Sequence, residues 1–254
     1  MIINKFKDQF YSFLSAMEFL TVLPLRAPVF SIPRSIVYFP IAGLLIGFLL
    51  VAVHYVSAFL FNKLIADAIL LITLIAVSGA LHLDGLADTI DGIFGGKSAD
   101  DALKIMSDEH IGTFAVAGLI CYLLLKFLFI NQLPETVLYP GIILMCVLGR
   151  YAMAYLVVNG APAKTDGLGN SYIGSIKLTV FLITAGITLF ISIAVLGFMG
   201  MFVFLFITFF VYFLNRYFVN KIGGLTGDTI GAANEVIELS VLVLVFLFIK
   251  LLAE

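Results

Sequence analysis

Apolar positions dominate the chain in long, nearly uncharged runs, and the polar residues fall in the gaps between them. Segments of this length cross a bilayer as helices, which need about 20 apolar residues. The pattern predicts an all-α, polytopic integral membrane protein with seven spans, roughly 36–60, 65–83, 111–130, 137–158, 178–195, 198–215 and 232–252. The turn at 196–200 is short, so the fifth and sixth spans should be antiparallel neighbours. Before the spans, residues 5–20 place Phe6, Phe10, Phe13, Leu14 and Met17 on one helical face, with Lys5, Lys7, Asp8 and Gln9 elsewhere. That is the signature of a helix lying in the membrane interface. Pro24, Pro28 and Pro33 then break the chain. Residues 1–254 read as a single membrane domain.

Composition agrees with this reading: the chain is 62% hydrophobic and 12% charged, with a mean hydropathy of +1.16. A net charge of −2 and sparse basic residues argue against nucleic-acid binding. Cys121 and Cys146 fall inside apolar runs, where they serve packing rather than a disulfide or a metal. No cleavable signal peptide is evident. With the N-terminus in the cytoplasm, ten of the fourteen basic residues fall on the cytoplasmic side, as the positive-inside rule asks. Segments 84–110, 159–177 and 216–231 then share that face, and the external loops look almost featureless. A multi-pass protein of the inner (cytoplasmic) membrane with a cytoplasmic active site follows.

The chemistry concentrates in one stretch. Seven of the 16 carboxylates lie between Asp84 and Glu109. Asp84, Asp88 and Asp91, at i, i+4 and i+7, share one helix face. Like charges so placed repel, and a divalent cation would reverse the sign. Oxygen-only ligands suit Mg²⁺, with Mn²⁺ the alternative. Glycines at 85, 92, 95 and 96 suggest backbone close to a ligand. The competing reading is a solvated acidic loop. Asp108 and Glu109 precede the third span and suit either metal ligation or a helix dipole. His82 and His110 read as base, ligand or hydrogen-bonding residue, and a structural role fits His82 equally well.

A second glycine-rich stretch, 223–232, holds Thr226 and Asp228 and can cradle phosphate at a helix start. Lys221 precedes it. Asn234, Glu235 and Glu238 follow into the last span, where carboxylates are costly and usually functional. Gly-Leu-Ala-Asp-Thr-Ile-Asp-Gly (85–92) is echoed by Gly-Leu-Thr-Gly-Asp-Thr-Ile-Gly (224–231), which is either a degenerate repeat facing one site or coincidence. Arg150, inside the fourth span, needs a phosphate or an internal carboxylate as partner. Arg26, Arg34, Lys164 and Lys221 add positive charge suited to a polyphosphate, though Lys164 and Asp166 also suit a plain turn.

Leu-His-Leu-Asp-Gly-Leu-Ala-Asp-Thr-Ile-Asp-Gly (81–92), Ile-Met-Ser-Asp-Glu-His-Ile-Gly (105–112) and Gly-Gly-Leu-Thr-Gly-Asp-Thr-Ile-Gly-Ala (223–232) resemble the cobalamin synthase family, the adenosylcobinamide-GDP ribazoletransferases. Arg-Ser-Ile-Val-Tyr-Phe-Pro-Ile-Ala-Gly from Arg34, Gly-Arg-Tyr at 149–151 and Asp-Gly-Leu-Gly at 166–169 match as well. The resemblance implies a membrane-bound, Mg²⁺-dependent enzyme. It would join adenosylcobinamide-GDP to α-ribazole, or to α-ribazole 5′-phosphate, and release GMP. It carries over Asp84, Asp88, Asp91, Asp108 and Asp228 as functional carboxylates, with Glu109 and Glu235 available to complete a metal shell or accept a proton. The chain departs from the family at Val22, after Thr21, and at Lys164-Thr165, where arginine is usual. A CDP-alcohol phosphotransferase is the nearest alternative, but the aspartate offsets are wrong for it. A cation-coupled transporter is the alternative from another class. A homo-oligomer is left open.

Overall fold

The computed structural model describes residues 2–28, 31–163 and 172–253. Among these residues the secondary structure is α-helical, apart from a 3₁₀ turn at Ile36–Tyr38 and one parallel bridge between Pro162 and Leu225. The helices are α1 (Ile2–Leu20), α2 (Ile32–Ser35), α3 (Phe39–Leu60), α4 (Lys63–Ser78), α5 (Leu81–Gly95), α6 (Ala99–Ile105), α7 (Thr113–Gln132), α8 (Glu135–Asn159), α9 (Leu178–Ile222) and α10 (Gly227–Ala253). Four stretches are long and apolar enough to cross a membrane, namely Ile32–Leu60, α7, α8 and α9, and the bent pair α4–α5 would make a fifth. Of the other expected spans, α4 has only 16 residues, and α10 carries Glu235, Glu238 and Lys250.

Two expected boundaries are corrected. The second span ends at Ser78 rather than residue 83, because Gly79 and Ala80 both take left-handed backbone (φ 61° and 58°). These two residues turn the chain by 88°, so that α5 leaves the direction of α4. Spans five and six are helically continuous except at Gly197, whose φ of 58° and ψ of −136° only glycine adopts easily. The chain doubles back there. In an unbroken helix Phe181 and Phe204 would lie about 34 Å apart at 1.5 Å per residue. Instead both rings flank Tyr151, at 6.1 and 5.2 Å between centroids. The antiparallel hairpin is therefore present, with a one-residue hinge.

Helix α8 is the axis of the bundle. It is buried almost throughout from Val137 to Val158 and packs against α3, α9 and α10. Gly43 and Gly47 let α3 lie directly on it: a Cβ at Gly43 would stand 2.4 Å from the Cys146 carbonyl oxygen, and one at Gly47 2.8 Å from the Ile143 Cα. Small residues four apart are a common device for close helix crossing in membranes. Helix α1 docks by its second half. Ser12, Ser15, Ala16, Met17 and Leu20 are buried, while Phe6 and Phe10 stay exposed. The apolar stripe of the sequence is thus split, with its far end turned outward.

One end of the bundle gathers the three polar segments. Leu225 is hydrogen-bonded to the 159–163 strand-like segment, with its amide on the Ala161 carbonyl (2.8 Å) and its carbonyl accepting from the Ala163 amide (2.9 Å). Helix α5 crosses the start of α10 so closely that a Cβ on Gly85 would lie 2.8 Å from the Asp228 carbonyl oxygen. The opposite end is not featureless. There the fully buried Asp67 carboxylate meets His54 Nε2 and Lys63 Nζ (both 2.8 Å) and Asn131 Nδ2 (2.7 Å). His54, Lys63 and Asn131 join α3, α4 and α7 around it. His54 and Asp67, polar residues inside expected spans, are the sequence signal of this cluster.

Candidate active site

Helix α5 is continuous from Leu81 to Gly95, so Asp84, Asp88 and Asp91 do share a face. Asp84 is exposed, Asp88 half-buried and Asp91 buried. Helix α10 presents Asp228 in its first turn. That turn is closed by a reciprocal cap, in which the Thr226 amide donates to Thr229 Oγ1 (2.9 Å) and the Thr229 amide donates to Thr226 Oγ1 (3.2 Å). The Thr226 hydroxyl also reaches Asp228 Oδ2 at 3.4 Å. Thr226 therefore caps the helix and positions Asp228. The two glycine-flanked segments that echo each other in sequence cross face to face at Gly85 and Asp228, and their carboxylates converge.

The convergence has an electrostatic consequence. Burial, then the fields of Asp228, Asp84 and Asp91, push the Asp88 carboxyl up to about 6. Asp88 thus sits among carboxylates with too little positive charge to offset them. Among the described residues no three His, Cys, Asp or Glu side chains are arranged as a ready metal cage. Mg²⁺ does not require one, since it takes one or two carboxylates and completes its shell with waters and phosphate oxygens. Hard oxygen donors at Asp84, Asp88 and Asp228, mutually repelling, fit that demand.

Asp91 is committed elsewhere. Its two oxygens accept the amides of Gly112 (2.6 Å) and Ala115 (2.8 Å). It caps the start of α7, where four amides lack helical partners. Asp91 is corrected from metal ligand to helix cap. Asp108 and His110 lie past α6, exposed, paired through Oδ1 and Nδ1 at 2.7 Å. The pairing lowers the Asp108 carboxyl and raises the His110 imidazole. Both line a cavity of about 390 Å³ that Asp91, Gly112 and Thr113 complete. Glu109 is exposed beside them. This group is separate from the Asp84–Asp228 convergence.

Glu235 and Arg150 are also corrected. Neither stands with the aspartates; both lie in the bundle interior in an ion network joining three helices. Lys126 of α7 reaches Glu235 at 3.1 Å and pairs with Glu238, and Arg150 of α8 pairs with Glu238. Tyr122 donates to Glu235 and takes a hydrogen bond from Lys126 at 2.6 Å. Asn234 Nδ2 faces Glu235 Oε1 (3.1 Å) and Glu238 Oε1 (3.2 Å). Arg150 is thus held by an internal carboxylate, and its place at the centre of α8 removes it from any phosphate. Asn234 acts on this network and on His82, at 3.4 Å. Lys126 is the residue that sequence reading passed over, although a lone lysine deep in a span signals a buried partner.

The remaining basic residues are peripheral. Arg26 is exposed in left-handed backbone (φ 48°) after α1, Arg34 is exposed in α2, and Lys221 is exposed in the last turn of α9. Lys164 and Asp166 lie outside the described residues. Beside Asp84 and Asp228 opens a cavity of about 220 Å³, walled by α1, α2, α3, α5, α8 and α10, with His82 on its lining. The arrangement combines clustered carboxylates at the mouth with an apolar recess below, which suits binding of an anionic group beside an apolar one.

The cobalamin-5-phosphate synthase family model matches residues 12–246. The chain belongs to that family. Curated proteins similar to it include adenosylcobinamide-GDP ribazoletransferases. The protein of Roseiflexus sp. (strain RS-1) is 36% identical over 227 residues, 88% of this chain and 84% of the relative. That of Klebsiella pneumoniae subsp. pneumoniae is 35% identical over 236 residues, 90% and 96%. That of Clostridioides difficile (strain 630) is 31% identical over 252 residues, 93% and 97%. No solved structure matches the chain. The match to the synthase family covers both carboxylate-bearing segments, the crossing at Gly85 and the buried ion network.

Proposed function

We propose that this chain is an adenosylcobinamide-GDP ribazoletransferase, acting in cobalamin biosynthesis with α-ribazole or its 5′-phosphate as acceptor. Family membership supports the reaction, and the meeting of Asp84 and Asp88 with Asp228 supports where it occurs. A ribose hydroxyl attacks the phosphorus that carries cobinamide, the bond to the GMP oxygen breaks, and GMP leaves with its phosphate. Phosphoryl transfer needs little covalent help, so positioning and charge neutralisation dominate. Mg²⁺, held by one or two of Asp84, Asp88 and Asp228, would supply charge neutralisation for the diphosphate. Gly85 lets the two helices meet, Gly227 leaves open space beside Asp228, and the Thr226–Thr229 cap fixes Asp228. The hydroxyl's proton goes to a carboxylate of this cluster. The site faces the cytoplasm in the orientation that the basic loops favour.

The experiment measures GMP release from adenosylcobinamide-GDP by the purified full-length protein with α-ribazole, with Mg²⁺ and with chelator. Activity should require the metal. Asp84→Asn and Asp228→Asn should each lower kcat at least a hundredfold while the protein stays folded. Wild-type turnover in either variant, or in chelator, would remove the carboxylate cluster from the mechanism.

A further inference from the structure

We propose that the 220 Å³ cavity beside Asp84 and Asp228 seats the heterocyclic base of the acceptor nucleoside, with His82 Nε2 donating a hydrogen bond to an unprotonated ring nitrogen of that base. The inference rests on the transferase reading and names one substrate's subsite within it.

His82 is 2% exposed. Its Nδ1 faces the Asn234 side-chain nitrogen at 3.4 Å. That end of the Asn234 amide also faces Glu235 and Glu238 oxygens at 3.1 and 3.2 Å, so it is the amino end. An amino group only donates, and the Glu235 carboxylate oxygen that also faces Nδ1 stands at 3.9 Å, beyond hydrogen-bond reach, so Nδ1 accepts and the imidazole proton sits on Nε2. Among the described residues Nε2 has no partner. Buried donors are nearly always paired, and this one belongs to a residue on a cavity wall. The missing acceptor is therefore assigned to a ligand.

The walls say which kind. Phe19 and Phe39 stack at 5.9 Å and 17°, and Leu81, Met153, Val157 and Ile230 complete an apolar lining. Drug-sized ligands occupy about 300–1,000 Å³, so a recess of about 220 Å³ admits a two-ring base and excludes a corrin. Guanine has two rings as well, but with Asp84 and Asp228 given to the diphosphate its amide and amino groups would meet an apolar wall and the single His82 donor, at a cost in affinity. A benzimidazole-type base has an apolar body and a single lone-pair nitrogen, which matches one donor in an apolar slot. With the base so placed, its ribose emerges at Asp84 and Asp228, where the attack takes place.

Equilibrium binding to the solubilised full-length protein tests this with two probes, benzimidazole riboside and indole riboside, in which a CH replaces the lone-pair nitrogen. The wild-type protein should bind the benzimidazole riboside about tenfold more tightly, which is about 1.4 kcal/mol. His82→Phe should reduce that preference to within about twofold and raise the KM for α-ribazole about tenfold. The KM for adenosylcobinamide-GDP should stay within about twofold. His82→Gln, which keeps a donor, should retain part of the preference. Equal binding of the two ribosides by the wild-type protein overturns the subsite, as does a preference that survives in His82→Phe. GMP release by the same wild-type sample separates the two levels. Turnover without the predicted preference removes only the subsite, whereas no turnover and no riboside binding remove the transferase reading too.

Discussion

Lys126→Met should destabilise the protein by about 3–5 kcal/mol, the usual cost of stranding a buried charge by removing its partner. Lys126 and Arg150 face Glu235 and Glu238, two cations against two carboxylates, with exposures of 1%, 0%, 5% and 0%. Of the two cations, only Lys126 touches both carboxylates, at Glu235 and at Glu238. Its removal leaves two negative charges on one guanidinium, and only Glu238 is within reach of that guanidinium. Methionine matches the stem, so cavity formation contributes little. The full buried-charge figure applies because no member is exposed enough for solvent to screen it. The double variant Lys126→Met/Glu235→Gln restores neutrality, and glutamine can still accept from Tyr122. Neutral replacement of a buried ion pair is often tolerated, so the double variant should lose about 1 kcal/mol. Reversible unfolding of the solubilised protein, read by far-UV circular dichroism across denaturant, measures both. A single variant within about 1 kcal/mol of wild type would refute the network's role. So would a double variant that costs the sum of the two singles.

Asp91→Asn should cost about 2 kcal/mol, since charge-assisted hydrogen bonds are worth roughly 1.5–3 kcal/mol and the amide keeps only one acceptor for Gly112 and Ala115. Hydrogen exchange should accelerate at those two amides first; unchanged exchange there would mean that Asp91 is not the cap. Asp88 predicts a pH effect in chelator. Its folded value of about 6 lies above the ordinary aspartate value of about 3.9, so the native state favours the protonated form. Its ionisation therefore costs stability above pH 6, and that cost is relieved as pH falls from 6 towards 4. Melting temperature in chelator should rise on acidification through that window, less so at high salt because the group is partly solvated. Asp88→Asn should abolish the rise, and a rise that persists in that variant would assign it to another group.

The site's legibility followed from periodicity. Asp84 and Asp88 lie on a continuous helix, so their shared face was visible from i, i+4 spacing alone, whereas the echo of 85–92 in 224–231 left repeat and coincidence open and the contact at Gly85 appears only in the packing. Asp91 obeys the same spacing yet points to a different partner, because the α7 amides that claim it lie more than 20 residues away. Periodicity reports a face, not what covers it. The same limit explains Arg150 and Glu235: a charge inside an apolar run announces a partner, and only the packing of α7, α8 and α10 says that Lys126 and Glu238 supply it. Helix ends were misplaced where two residues adopt positive φ. Gly79 could have warned of this, but Ala80 carries no such sign, since alanine rarely enters that region. The Gly43–Gly47 pair went unread although its spacing is a membrane packing signal.

The position of Asp228 is set by forces that do not belong to the site. Asp228 and Glu235 are seven residues apart on α10 and therefore on nearly the same face. The rotation that turns Glu235 and Glu238 to Lys126 and Arg150 also turns Asp228 towards α5. Gly85 then sets the distance, since any side chain there would push the Asp228 backbone away. Bringing Asp228 to Asp84 and Asp88 is unfavourable, by about 1 kcal/mol per pair at 4 Å in water and about 4 kcal/mol at the effective dielectric of a protein surface. Asp84 is exposed and Asp88 and Asp228 are partly so, which keeps the repulsion towards the lower figure. The buried ions act on the same helix with several kcal/mol, enough to hold the carboxylates together before any cation arrives. Loosening the network should therefore weaken binding of the proposed Mg²⁺ two helical turns away, read as a higher Mg²⁺ concentration for half-maximal GMP release, without altering Asp84, Asp88 or Asp228.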